Sequence, residues 1–149
     1  MTPMERKLCD VQGRLFELAV EEGYEPSSFV SEFMSSKVAE GLDQVFCHYQ
    51  WAGERYLLEA MEEECGDRLV KGGGECSTLG MHWIGYLYRY WHCLKGLSSK
   101  AIYRLANYKT MSQNYYLFHS FSPELAIEEL TELSESKKGK KRSKNASSK

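Results

Sequence analysis

A chain of 149 residues, 42% hydrophobic and 27% charged, suits one compact domain and leaves no room for two independent cores. Aromatics at 13% and only 3 prolines exclude fibrous, collagen-like and wholly disordered classes, and no apolar run approaches the roughly 18 residues of a membrane span. The formal net charge of -2 conceals segregation: residues 1–75 carry 16 acids against 7 bases, 76–123 five bases and no acid, 124–136 five acids, and 136–149 seven bases.

Leu8, Val11, Leu15, Leu18 and Ala19 recur at helical steps, and Gly23 closes that first helix. Pro26-Ser27-Ser28 starts a second, with Phe29, Val30, Phe33, Met34 and Val38 on one side. A third runs from about Tyr49 to Glu64 and carries Trp51, Tyr56, Leu57, Leu58 and Met61. Residues 66–75, with three consecutive glycines, form the clear break. The fourth helix covers roughly Thr78 to Lys95, and Ser98 can cap a short fifth holding Ile102 and Leu105. A sixth spans about Thr110 to His119. Ser122-Pro123-Glu124 opens a last helix through Ile127, Leu130 and Leu133, combining a cap, an N1 proline and a first-turn acid. No alternating run is present, so the expectation is an all-α fold: a single compact bundle of about six to seven helices over residues 1–135.

Residues 136–149 are Ser, Lys, Gly, Arg and Asn with a single Ala, too little apolar surface to offset ordering entropy, and are expected to be a disordered basic tail. The first residues lack the apolar core of a signal peptide. Cys9, Cys47, Cys65, Cys76 and Cys93 are odd in number and share no Cys-x-x-Cys spacing, which favours free, mostly buried thiols in a reducing compartment. A cytoplasmic protein is expected.

The fourth helix is the centre of the chain. At 100° per residue Ile84, Leu87, Trp91 and Leu94 share one face, with Trp83 and Tyr90 at its margin. His82, Tyr86, Arg89 and Cys93 fall on the neighbouring face, and Tyr88 and His92 on the remaining side around Gly85. Aromatics all round imply burial all round, and a buried guanidinium needs a carboxylate or a phosphate. Either Arg89 pairs with an acid of the front half, Glu54, Glu59 or Glu62 being candidates, or it contacts an anion or partner beside Tyr86 and His82.

Residues 76–123 hold 11 of the 19 aromatics, a composition that also suits nucleic-acid binding through phosphate charge and base stacking. Lys100 and Arg104 share one face of a stretch that looks faintly like a helix-turn-helix, but the acidic remainder would repel a duplex. His48, His82, His92 and His119 show no His-x-x-x-His or His-Glu-x-x-His spacing. Cys65, Cys76, His92 and Cys93 lack the short ligand pairs of structural zinc sites. Lys71-Gly72-Gly73-Gly74 is no phosphate loop, and no nucleophile elbow or thiol-enzyme arrangement is present. Neither a cofactor nor an enzymatic activity is expected.

The strings Trp83-Ile-Gly-Tyr-Leu-Tyr-Arg-Tyr-Trp-His92, Ser98-Ser-Lys-Ala-Ile-Tyr-Arg-Leu105 and Tyr115-Tyr-Leu-Phe-His-Ser-Phe-Ser-Pro-Glu-Leu-Ala-Ile-Glu-Glu-Leu130, with Gln12-Gly-Arg-Leu-Phe-Glu-Leu18, Phe33 to Asp43 and Gln50 to Glu54 in the front half, resemble small helical bacterial proteins of poorly defined function. Such proteins are encoded in toxin–antitoxin-like loci, often beside ADP-ribosyltransferase-type toxins. The resemblance spans roughly residues 8–133 and implies an antitoxin or accessory protein that binds a cognate protein, the toxin, without fixing which residues bind. Trp83, Tyr86, Arg89 and Tyr90 are the expected central contacts, with Lys100, Tyr103 and Arg104 on an adjacent exposed face. The alternative is a nucleic-acid-binding regulator using residues 95–109 and the basic tail. A weak nucleic-acid contact through that tail, and no membrane contact, complete the expectation.

Overall fold

The computed structural model describes residues 1–45, 48–74 and 76–147. Among them the chain is all helical, with nine α-helices and no strand: α1 (Pro3–Glu21), α2 (Pro26–Met34), α3 (Lys37–Leu42), α4 (Glu54–Cys65), α5 (Thr78–Lys95), α6 (Ser99–Leu105), α7 (Tyr108–Gln113), α8 (Tyr115–Phe118) and α9 (Pro123–Ser147). No described helix is long and apolar enough to cross a membrane. Cys47, expected as a free thiol, and the final two residues lie outside the described part.

The count exceeds the expected six to seven because local capping divides two predicted helices. Ser36 ends the run from Pro26 by turning its hydroxyl onto the Ala39 amide at 3.0 Å, and Glu64 at the end of α4 accepts from the Lys37 amide at 2.9 Å and the Val38 amide at 3.3 Å. Those carboxylate bonds satisfy donors that a new helix leaves open, so α3 starts there. Asn107 caps α7 two residues ahead of the expected start, and Asn114, whose amide donates to the Thr110 carbonyl at 2.7 Å, separates α7 from α8. The third predicted helix begins late, at Glu54. Trp51, expected within that helix, sits in a preceding 3₁₀ turn and is exposed, as is Tyr56.

The last helix continues through residues 136–147, where a disordered tail was expected. Glu124 in its first turn places negative charge at the positive end of the macrodipole. Lysine and arginine are also good helix formers, and no proline interrupts the run. Lys137 ties this segment to the body by donating to the Thr110 hydroxyl at 3.4 Å.

Helices α1 and α5 form the axis. They run antiparallel: Glu17 meets His82, Gln12 meets Gly85 and Arg89, and Glu5 reaches Cys93. A glycine on each helix permits their close approach. A Cβ on Gly85 would lie 2.6 Å from the Gln12 carbonyl oxygen, and one on Gly13 would lie 2.8 Å from the His82 ring. Around the axis, Phe16 makes edge contacts with Phe29 at 5.5 Å and Phe33 at 5.3 Å, bringing α2 onto the core. Ile84, Leu87, Tyr88 and Trp91 of α5 are buried in the same core as Ile102, Met111, Ile127 and Leu130 of later helices. The acidic front and the basic back therefore fold against each other.

Buried phenols give the fold a pH dependence. Tyr88 donates to the Ala106 carbonyl at 2.6 Å, and burial holds its hydroxyl well above its ordinary range. Tyr24 donates to Glu62 Oε2 at 2.5 Å, and that bond, with burial behind it, pushes the phenol up to about 12. A proton held more tightly in the folded state stabilises fully below the unfolded value of about 10 and ceases to do so as pH rises through the folded one. Unfolding free energy measured by urea titration is expected to fall between about pH 10 and 12, with Tyr24→Phe falling less over that window.

Candidate functional site

Helix α5 presents two surroundings, one inside the bundle and one at its surface. Inside, Arg89 is 1% exposed, and three guanidinium nitrogens have protein partners. Nη1 donates to Asp43 Oδ1 at 2.7 Å, Nε to Gln12 Oε1 at 2.8 Å, and Nη2 to Ser99 Oγ at 3.4 Å. Gln12 completes its own bonding by donating to the Gly85 carbonyl at 3.0 Å. Asp43, at the C-cap of α3, also accepts from the Ser99 amide and the Ser99 hydroxyl, both at 2.8 Å.

The partner of Arg89 is thus Asp43, not the expected Glu54, Glu59 or Glu62. Glu54 lies 3.5 Å from Arg14, Glu62 accepts from Tyr24, and Glu59 is exposed. One carboxylate here compensates the buried guanidinium and satisfies an amide at the start of α6. Asp43 and Ser99 floor a polar cleft of about 350 Å³ that Glu40 and Lys100 also line.

His92 Nδ1 stands 2.6 Å from the Leu97 carbonyl and 3.5 Å from Asp43 Oδ1. A carbonyl only accepts, so Nδ1 carries the proton. Ser99, Asp43 and His92 therefore meet, but the serine hydroxyl donates to the carboxylate rather than to the imidazole. That geometry caps and joins helices and does not activate a nucleophile. Among the described residues no group of three or more His, Cys, Asp or Glu is arranged to hold a metal ion.

At the surface, His82, Tyr86 and Tyr90 form a half-buried stripe with ring centroids 6.2 and 6.0 Å apart. His82 Nδ1 lies 3.0 Å from Glu17 Oε1, a close approach without the alignment of a hydrogen bond. Tyr90 donates to Glu124 at the start of α9; that bond, more than burial, raises the phenol to about 12 and lowers the carboxylate. Burial is the main cause of the upward shift at Tyr86.

Trp83 leads to a different patch. Its ring meets Tyr115 edge-on at 5.7 Å, Tyr115 lies 5.5 Å from Tyr116, and Leu79 is one turn before Trp83 on α5. Leu79 is 69% exposed, Tyr116 85% and Leu117 63%. Beside them the start of α5, α7 and α8 enclose an open cleft of about 540 Å³ lined by Tyr108, Tyr115, Tyr116, Cys76 and Glu25.

The expected contact residues are consequently divided. Trp83 borders the apolar patch, Tyr86 and Tyr90 belong to the adjoining stripe, and Arg89 is interior. Lys100 and Arg104 are exposed on α6, where Tyr103 is half-buried. Leu94, expected on the buried face, is exposed in the last turn of α5. Sequence reasoning missed Gln12, Asp43 and Ser99 inside, and Leu79, Tyr116 and Leu117 outside. Gln12 did carry a signal, a polar residue within the stripe of Leu8, Val11 and Leu15. Comparison with known proteins adds no relative: no family model, no curated protein and no solved structure matches this chain.

Proposed function

We propose that this chain is an antitoxin-type binding protein that neutralises a cognate toxin by direct protein–protein contact and performs no chemistry of its own. Exposed Tyr116, joined through Tyr115 to Trp83, with exposed Leu79 one turn away on α5, carries this reading. Large apolar side chains gathered on one face, beside an aromatic-lined cleft, supply the anchor-and-pocket composition of a protein interface. The resemblance of the sequence to proteins of toxin–antitoxin-like loci supports the same reading, and the acidic front half would complement a basic partner surface. Arg89 acts in this scheme as an internal brace that holds α5 at its angle, while Trp83, Tyr86 and Tyr90 border the contact.

Co-purification with the product of the adjacent reading frame tests it. A stable complex and loss of that product's toxicity are expected. Tyr116→Ala should weaken the complex by about 2 kcal/mol, roughly 30-fold, while leaving Tm unchanged because the ring is exposed. Failure to bind or neutralise would overturn the proposal. Retention on nucleic acid with a steep loss in salt would instead favour a regulator working through the basic half of α9.

A further inference from the structure

Cys9 and Cys93 are free thiols on the two helices of the central axis. The register brings them together. Gln12 faces Arg89, so one turn back along α1 and one turn forward along α5 place Cys9 opposite Cys93. On this register the Cys9 and Cys93 side chains share the seam between α1 and α5. The two helices are drawn close by Gly13 and Gly85 immediately beyond this point. Cys9 is fully buried, whereas Cys93 is partly open to solvent. Cys65 and Cys76 are placed differently, beside Arg68 and Tyr108.

We propose that Cys9 and Cys93 form a reversible dithiol–disulfide pair, a redox modification site that ties α1 to α5 when the protein meets a peroxide. Neither the partner nor the toxin-binding reading is needed for it. Cys93 is the attacking sulfur, because it alone of the pair is accessible, and the Arg89 guanidinium stands one turn before it. Its thiol is shifted down, chiefly by the bond from Cys9 and also by Arg89, against opposing effects of burial and of Glu5. The Cys9 thiol is shifted up by that same bond and by burial, so it keeps its proton until the second step.

The Cys93 thiolate attacks one oxygen of hydrogen peroxide. An S–O bond forms, the O–O bond breaks and hydroxide leaves, so the sulfur loses two electrons and becomes a sulfenic acid. Cys9 sulfur then attacks the Cys93 sulfur. The S–S bond forms, the S–O bond breaks, and the Cys9 proton departs with the hydroxide as water. A dithiol reductant reverses the product by exchange.

The full chain treated with hydrogen peroxide, denatured and titrated for thiols tests the pair. The count is expected to fall from five to three and to return to five with dithiothreitol. Tryptic digestion should join the fragment of residues 8–14 to that of residues 90–95 within one molecule. Cys93→Ser, with four thiols, should keep all four under the same treatment. A wild-type count that stays at five under peroxide that consumes a glutathione control overturns the proposal, as does a bridge mapped to other cysteines or formed between chains.

Discussion

Asp43→Ala is expected to destabilise the protein by about 3–5 kcal/mol, the cost typical of removing one partner from a buried ion pair. Arg89 would then keep Gln12 and Ser99 as acceptors but have no negative charge within hydrogen-bond reach in a site where it is 1% exposed. The Ser99 amide at the start of α6 would lose its acceptor as well. Much of the loss comes from the charge left behind and not from the pair's own worth, so a second substitution separates the two. Arg89→Met removes the stranded guanidinium while filling similar space, and the double variant Asp43→Ala, Arg89→Met should regain a large part of what the single one lost. Guanidinium-chloride unfolding of the four proteins measures the coupling. Purely additive losses, or an Asp43→Ala cost below about 1 kcal/mol, would show that the network does not brace α5.

How much of this network was legible in the sequence follows from the range of its contacts. The elements read well because caps and apolar steps are local: Pro26, Ser98 and the Ser122-Pro123-Glu124 start each mark a helix that is present. The buried charge on α5 was legible too, since Arg89 sits among Tyr88, Trp91 and Leu87 on a helix with little room for solvent. Its counter-charge was not. Asp43 is 46 positions away in a turn, and nothing local distinguishes it from the acids of α4. The splits at Ser36 and Asn114 depend partly on groups from elsewhere, such as Glu64 capping α3. The exposed patch was missed for a related reason: Tyr115 and Tyr116 fit a helical period, and only the packing of α8 on α5 shows that Tyr116 is left outside.

Gly85→Ala carries the second large effect, with a sign opposite to helix propensity. Alanine in a helix interior is favoured over glycine by about 1 kcal/mol. Here the new Cβ would stand 2.6 Å from the Gln12 carbonyl oxygen and 2.8 Å from the Phe16 ring, and the first of these is backbone that cannot swing aside. Moving α1 away would stretch the 3.0 Å bond from Gln12 to the Gly85 carbonyl and, through Gln12, the support of Arg89. Overpacking of about 3 kcal/mol against a propensity gain of about 1 leaves a net loss of about 2 kcal/mol. Gly13→Ala is the control on the facing helix: the atoms nearest its Cβ belong to the His82 ring, a half-exposed side chain that can rotate away, and not to backbone. It should therefore be close to neutral. Thermal unfolding of the two variants side by side reads the difference, and a stabilised Gly85→Ala would mean that α1 and α5 are not in glycine-mediated contact at all.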